Sequence, residues 1–200
     1  MKAITLLQPQ KIVFGENSLL ELANDPILNL SNKLLFLIAS PLIESLADTL
    51  KKLEDKQKTV QLIEYDFLGE PTFSQFNSLL KMTCGFNPDC VIGVGGGSVL
   101  DCAKLLAALI DNEQKLEEIV GIGLLNGRSK KLICLPTTSG TGSEMSPNAI
   151  LLNETTAAKS GIISPYLVPD ACYIDHVLTI SLPKKLTAET GIDALSHCIE

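Results

Sequence analysis

The sequence lacks what a nucleic-acid or membrane partner requires. Sixteen Lys and Arg stand against 23 Asp and Glu, a formal net charge of -7, so there is no basic face of the kind that grips DNA, RNA or anionic lipid. No apolar run approaches the about 18 residues of a membrane-spanning helix. The opening Met1-Lys2-Ala3-Ile4-Thr5-Leu6-Leu7 breaks at Gln8-Pro9, too early for a secretory signal peptide. Together these absences make a cytoplasmic address the expectation. Six cysteines, at 84, 90, 102, 134, 172 and 198, include no C-x-x-C pair and no thiolate zinc spacing, and read as reduced core residues. Internal repeats and low-complexity tracts are also missing. A small-molecule partner is the class that remains.

With 46% apolar and 20% charged residues, 200 positions suffice for one domain and the start of another. Lys33 to Ala39, Thr59 to Tyr65, Cys90 to Val94 and Lys131 to Leu135 are nearly continuous apolar runs, the signature of strands buried on both faces. Between them lie helical stripes: Leu42, Leu46, Leu50 and Leu53; Phe73, Phe76, Leu79 and Leu80; Leu105, Ala108 and Leu109. This alternation predicts an α/β fold, a mostly parallel sheet with helices on both faces. From Asn148 onward, short extended pieces at Ala149 to Leu152 and Cys172 to Ile174, separated by prolines, suggest that the repeat has ended. Lys184 to Glu200 contains good helix formers and no breaker beyond Gly191. That helix reaches the last residue uncapped, so the expectation is the front part of a longer protein. Residues 1–183 are expected to form one domain and 184–200 the start of a second.

Three segments carry chemistry. In Val91-Ile92-Gly93-Val94-Gly95-Gly96-Gly97-Ser98-Val99-Leu100-Asp101-Cys102-Ala103-Lys104 a buried strand runs through three glycines into a helix. Glycines let the backbone approach an anion and adopt positive φ, Ser98 adds a hydroxyl, and the helix N-terminus offers unpaired N–H groups. The usual Rossmann fingerprint is not met, because its third glycine falls on Ser98 and the motif follows about the fourth strand. Walker A fails for want of Gly-Lys-Ser/Thr. The second segment, Pro136-Thr137-Thr138-Ser139-Gly140-Thr141-Gly142-Ser143-Glu144, also follows a buried strand and suits pyrophosphate and ribose. Two such loops at strand carboxyl ends would face one crevice. The third segment places Asp193 and His197 at i and i+4, on one helical face, able to grip a divalent cation. They are too few for a catalytic site, which normally has three or more protein ligands. His176 lies elsewhere and reads as a solvated loop residue.

Gly95 to Lys104, Pro136 to Glu144 and Gly191 to Glu200, in this order, resemble the hallmarks G-G-G-S-x-x-D-x-A-K, P-T-T-x-G-T-G-S-E and G-x-D-A-L-x-H-x-x-E of the iron-containing (group III) alcohol dehydrogenases. Ile12 to Gly15, Glu70 to Thr72, Lys159 to Gly161, Ser164 to Asp170 and Leu178 to Pro183 extend the likeness over essentially the whole sequence. The resemblance implies a dehydroquinate-synthase-like, Rossmann-like domain binding NAD or NADP, followed by the first helix of an all-helical domain. It implies a metal between them, Fe2+ or alternatively Zn2+, held by one Asp and three His. Asp193 and His197 match the first two ligands, and the others are expected beyond Glu200. By the same resemblance Gly95, Gly96, Gly97, Ser98, Thr137, Thr138, Thr141 and Lys159 look like cofactor contacts, with Leu178 a weaker one and Asp101 near the nicotinamide side. The implied reaction is hydride transfer between the nicotinamide and an alcohol, aldehyde or ketone whose oxygen a metal polarises.

The implied assembly is a homodimer or higher homo-oligomer, with Ile4 to Leu7 as a pairing segment. Same-fold alternatives are a maleylacetate reductase, a glycerol-type dehydrogenase, a dehydroquinate-synthase-like lyase, or a nucleotide-binding chain without turnover of its own. One departure bears on the cofactor. NAD-preferring members tend to carry Asp after the strand Leu34 to Ile38, whereas Ala39-Ser40-Pro41 stands here, which opens the way to a 2′-phosphate and NADP. A second, His176 where the family commonly has proline, has no assigned role.

Overall fold

The computed structural model describes residues 5–67 and 69–199; the expectations for Met1 to Ile4 and for Glu200 lie outside the described residues. The chain runs β1 (Lys11–Phe14), α1 (Leu19–Leu22), α2 (Pro26–Leu30), β2 (Lys33–Ala39), α3 (Ala47–Asp55), β3 (Thr59–Tyr65), α4 (Phe73–Met82), β4 (Cys90–Gly95) and α5 (Gly97–Leu109). It continues through β5 (Gly121–Ile122), β6 (Lys131–Pro136), β7 (Asn148–Asn153), β8 (Ala158–Ile163), β9 (Ala171–Ile174) and α6 (Lys184–Ile199).

Six strands form one sheet in the order β1-β9-β6-β4-β2-β3, every pairing parallel. Period-two alternation divides each central strand between two cores. Leu35, Leu37, Val91, Leu132 and Cys134 pack with α4 and α5 on one face. Leu34, Phe36, Ile38, Ile92, Val94 and Ile133 pack with α1 and α3 on the other. Covered faces explain why β2, β4 and β6 read as unbroken apolar runs; β3, expected to be buried on both faces, lies at the sheet edge and buries only Ile63 and Tyr65. A three-stranded sheet, β5-β8-β7, stands apart.

Three expectations need correction. The α/β repeat does not end at Asn148: β9 inserts between β1 and β6, where Ala171, Cys172 and Tyr173 are buried. Next, the stripe of Leu105, Ala108 and Leu109 understates α5, which buries every residue from Val99 to Leu109 except Asp101, because α4, β4, β6 and β7 surround it. Finally, only four cysteines are core residues, since Cys84 and Cys198 are exposed; none of the six forms a disulfide. Burial pushes the thiols of Cys134 and Cys172 up to about 12, which keeps them protonated and inert.

Candidate functional site

Chain direction in the sheet locates the crevice. From β2 the chain moves outward to β3, then crosses to the opposite side of β2 to lay down β4 and β6. The carboxyl ends of β2 and β4 therefore flank a topological switch point, the place where open α/β sheets bind ligands. A cleft of about 630 Å³ lies there, lined by Ala39 and Ser40 after β2, Gly96 to Val99 after β4, and Thr137, Thr138 and Thr141 after β6. Leu42, Phe67, Leu178, Leu182 and Leu186 supply apolar walls. Tyr65 and Phe67 meet edge to face at 5.2 Å. The Tyr65 hydroxyl is buried with no hydrogen-bond partner among the described residues, and burial raises its pKa.

The glycines act differently from expectation. Gly96 has φ -76, and within the two loops the positive-φ glycines are Gly140 and Gly142 of the second. The triple glycine is required by close approach. A Cβ on Gly95 would sit 2.6 Å from Val99 Cγ2, and one on Gly97 would sit 2.9 Å from Thr141 Cγ2. A Cβ on Gly93, not singled out in the sequence, would sit 2.7 Å from Ala103 Cβ. The two loops thus close on each other over the start of α5, where the Val99 and Leu100 N–H groups donate to the Gly96 carbonyl at 3.0 and 3.1 Å and the N–H groups of Gly97 and Ser98 precede the first intrahelical bond. Thr137 N–H donates to the Gly95 carbonyl at 3.0 Å and ties β6 to the cradle.

Beneath the second loop is a buried clamp. Lys104 Nζ, fully buried, donates to the carbonyls of Ser146 at 3.1 Å and Asn148 at 2.7 Å, and to Ser146 Oγ at 3.3 Å. Asp101 lies 3.8 Å from that ammonium and accepts from Ser143 Oγ at 2.5 Å and from the Ile150 N–H at 2.9 Å. Burial lowers the Lys104 pKa and raises that of Asp101, the latter partly offset by Lys104 and by the bonds from Ser143 and Ile150. Asp101 was expected near the nicotinamide side. In the structure its carboxylate holds the loop.

Asp193 and His197 lie on α6, Oδ1 and Nδ1 3.8 Å apart, half-exposed at 45% and 56%. Asp193 packs against the second loop, where a Cβ on Gly140 would lie 2.7 Å from its Oδ2. His197 lines a second cavity of about 300 Å³ with Gly97, Ser98, Asp101, Thr141 and Ser143. Gly97, Ser98 and Thr141 border both cavities, so the two adjoin at the loop pair. Among the described residues no three potential metal ligands cluster. Gly95 is buried behind the cleft. Lys159 is set aside from the cleft lining, exposed and ion-paired with Glu70 of the second cavity. Asp66, Tyr65 and Phe67 also line the cleft without having been expected. Their signal was position after β3, beside β2, which becomes visible only with the strand order.

Among the described residues, no helix is long and apolar enough to cross a membrane. The chain is 33% identical over 195 residues to the sulfoacetaldehyde reductase of Bilophila wadsworthia, covering 96% of this chain and 50% of that protein. Its backbone superposes on a 1,3-propanediol oxidoreductase with a TM-score of 0.90 at 28% identity, covering 100% of this chain and 52% of the other. A sulfoacetaldehyde reductase from Bifidobacterium kashiwanohense, solved in complex with NAD+, gives 0.85 at 26% identity, covering 100% and 53%. The chain spans about half the length of the relatives it matches. The family model for iron-containing alcohol dehydrogenases matches residues 9–176, and with the strand order and the paired loops this places the chain in the iron-containing alcohol dehydrogenase family.

Proposed function

We propose that this chain supplies the dinucleotide cradle and two metal ligands of an alcohol dehydrogenase that uses NAD or NADP. The observation that carries the reading is the shared wall: Gly97, Ser98 and Thr141 border both the cleft at the strand ends and the cavity that His197 lines. A dinucleotide laid along the strand ends would span from Ala39 and Ser40 to the side of Asp193 and His197. The cleft fits such a group: α5 presents its N-terminus where pyrophosphate charge is favoured, Thr137, Thr138 and Thr141 offer hydroxyls, and the leucines offer apolar surface for rings. The NAD+ complex of the Bifidobacterium relative supports this choice of cofactor.

Asp193 and His197 are suited in kind and spacing to Fe2+, alternatively Zn2+. When bound, the nicotinamide carries the hydride and the cation polarises the substrate oxygen. The residues of this chain bind and orient: the glycine loop fixes the pyrophosphate, Leu178 packs at the cleft wall, Lys159 stands beside the second cavity through its ion pair with Glu70, and Asp101 positions the second loop. Residues 1–183 act as the nucleotide-binding domain and 184–200 open the helical metal-binding one. The exposure of α6, which buries none of its residues, agrees with that division. The substrate is a small alcohol, aldehyde or ketone, the setting cytoplasmic, and the assembly a homodimer or larger, for which exposed Leu6 and edge-strand Phe14 offer apolar surface.

A two-ligand metal site favours a second reading, nucleotide binding without turnover by these 200 residues. Aldehyde reduction assayed with added Fe2+ or Zn2+ tests both. In the complete protein we expect metal-dependent turnover that chelation abolishes and that Asp193→Ala or His197→Ala reduces by at least about 100-fold; turnover indifferent to metal and to both substitutions would overturn the dehydrogenase reading. Metal-dependent turnover by the 200-residue chain itself would refute the second reading.

A further inference from the structure

Among the described residues lining the nucleotide cleft, Asp66 is the sole charged one, and neither Lys nor Arg contributes to the lining. Asp66 directly follows β3, whose last residue, Tyr65, pairs in register with Ala39 of β2. Ser40 Oγ donates to the Tyr65 carbonyl in a long 3.5 Å bond, tying the turn after β2 to the peptide that leads into Asp66. The carboxylate and the Ala39-Ser40 turn therefore stand side by side at the strand ends. Asp66 is exposed and has no ion-pair partner among the described residues.

Dinucleotide sites tell their cofactors apart at the adenosine ribose: a carboxylate bonds the 2′-OH of NAD, and an arginine accommodates the 2′-phosphate of NADP. The absence of acid at Ala39-Ser40 suggested that a 2′-phosphate is tolerated. The strand order changes that inference, because the neighbouring strand brings a carboxylate to the same end of the cleft. We propose that Asp66 is the residue that determines cofactor choice, accepting a hydrogen bond from the ribose 2′-OH and repelling a 2′-phosphate, so that this cleft takes NAD(H) in preference to NADP(H). A 2′-phosphate brings a charge of about -1.5 to -2 to a cleft that offers one negative charge and no cation. The proposal rests on the cleft being the nucleotide site.

The test is calorimetric titration of the full chain with NADH and with NADPH at low salt, for the wild type, Asp66→Asn and Ser40→Arg. The wild type is expected to bind NADH on the order of tenfold more tightly or better. Asp66→Asn narrows that ratio severalfold by improving NADPH affinity, and Ser40→Arg narrows it by supplying a cation. Added salt weakens the wild-type preference, as charge repulsion requires. Equal affinities in the wild type, or a ratio unmoved by Asp66→Asn, would overturn the role of Asp66 while leaving the cleft a nucleotide site. Binding of neither nucleotide would overturn both.

Discussion

Replacing Gly95 by alanine is expected to abolish measurable nucleotide binding and to lower stability by about 1–3 kcal/mol. The added Cβ would lie 2.6 Å from Val99 Cγ2 and 2.7 Å from Val99 Cβ. Val99 stands in the first turn of α5, and the clash reaches its Cβ, which no side-chain rotation moves. The start of the helix must move off the end of β4. That movement carries away the first-turn N–H groups and separates the triple glycine from Thr138 and Thr141, which frame the pyrophosphate position. Gly127 is the matched control, because a Cβ there meets nothing within 4 Å; Gly127→Ala should leave both properties within about 0.5 kcal/mol of wild type. Urea melts and NADH titration of the two variants check this. Wild-type affinity in Gly95→Ala would show that the cradle is not where the cofactor binds.

Substituting Lys104 by methionine should cost about 3–5 kcal/mol, more than any surface change. Methionine retains most of the volume and the buried stem, so the loss is chiefly polar. It strands the carbonyls of Ser146 and Asn148 and leaves the Asp101 carboxylate without its cation. Asp101 is already raised by burial, and removal of Lys104 raises it further. A carboxyl whose folded pKa exceeds its unfolded value near 3.9 takes up a proton on folding. Stability then falls as pH rises through the window from the unfolded to the folded value. Lys104→Met should therefore lose stability more steeply than the wild type does as pH rises above the unfolded carboxyl value. Asp101→Asn in the Lys104→Met background removes that extra slope and recovers part of the loss, a non-additive result that denaturant melts across pH would reveal. Nucleotide affinity should fall as well, since the segment from Ser143 to Ile150 carries the second loop. Additive effects with no pH dependence would contradict the clamp.

The β2 and β3 spans agree with the expected ones residue for residue, and β4 and β6 run one residue further, to Gly95 and Pro136. Strands β2, β4 and β6, covered on both faces, carry their own signal, and edge strand β3 is legible from its length and the apolar residues Val60, Leu62, Ile63 and Tyr65. Short edge strands without such a run are harder to read. Edge strand β1 is not legible: it is four residues long with only Val13 half-buried, and a segment with little to bury leaves little pattern. Lys159-Ser160-Gly161 masks β8 for the same reason. The place of β9 between β1 and β6 depends on pairing across the chain, which local pattern does not encode. The loops were recognisable because hydroxyls and glycines cluster at strand ends. What the glycines do was not, since the contacts to Val99, Thr138 and Thr141 arise from packing. Asp66 shows the same boundary: an acidic residue after a strand becomes meaningful only once that strand is seen beside β2.

Hydrogen exchange of backbone amides in the full chain, with and without saturating NADH, tests the nucleotide cleft most directly. Slowed exchange confined to residues 96–98 and 138–142 is the predicted result, because those amides belong to the two loops that frame the pyrophosphate position. Unchanged exchange in both loops while NADH is demonstrably bound would place the nucleotide elsewhere and contradict the proposed site.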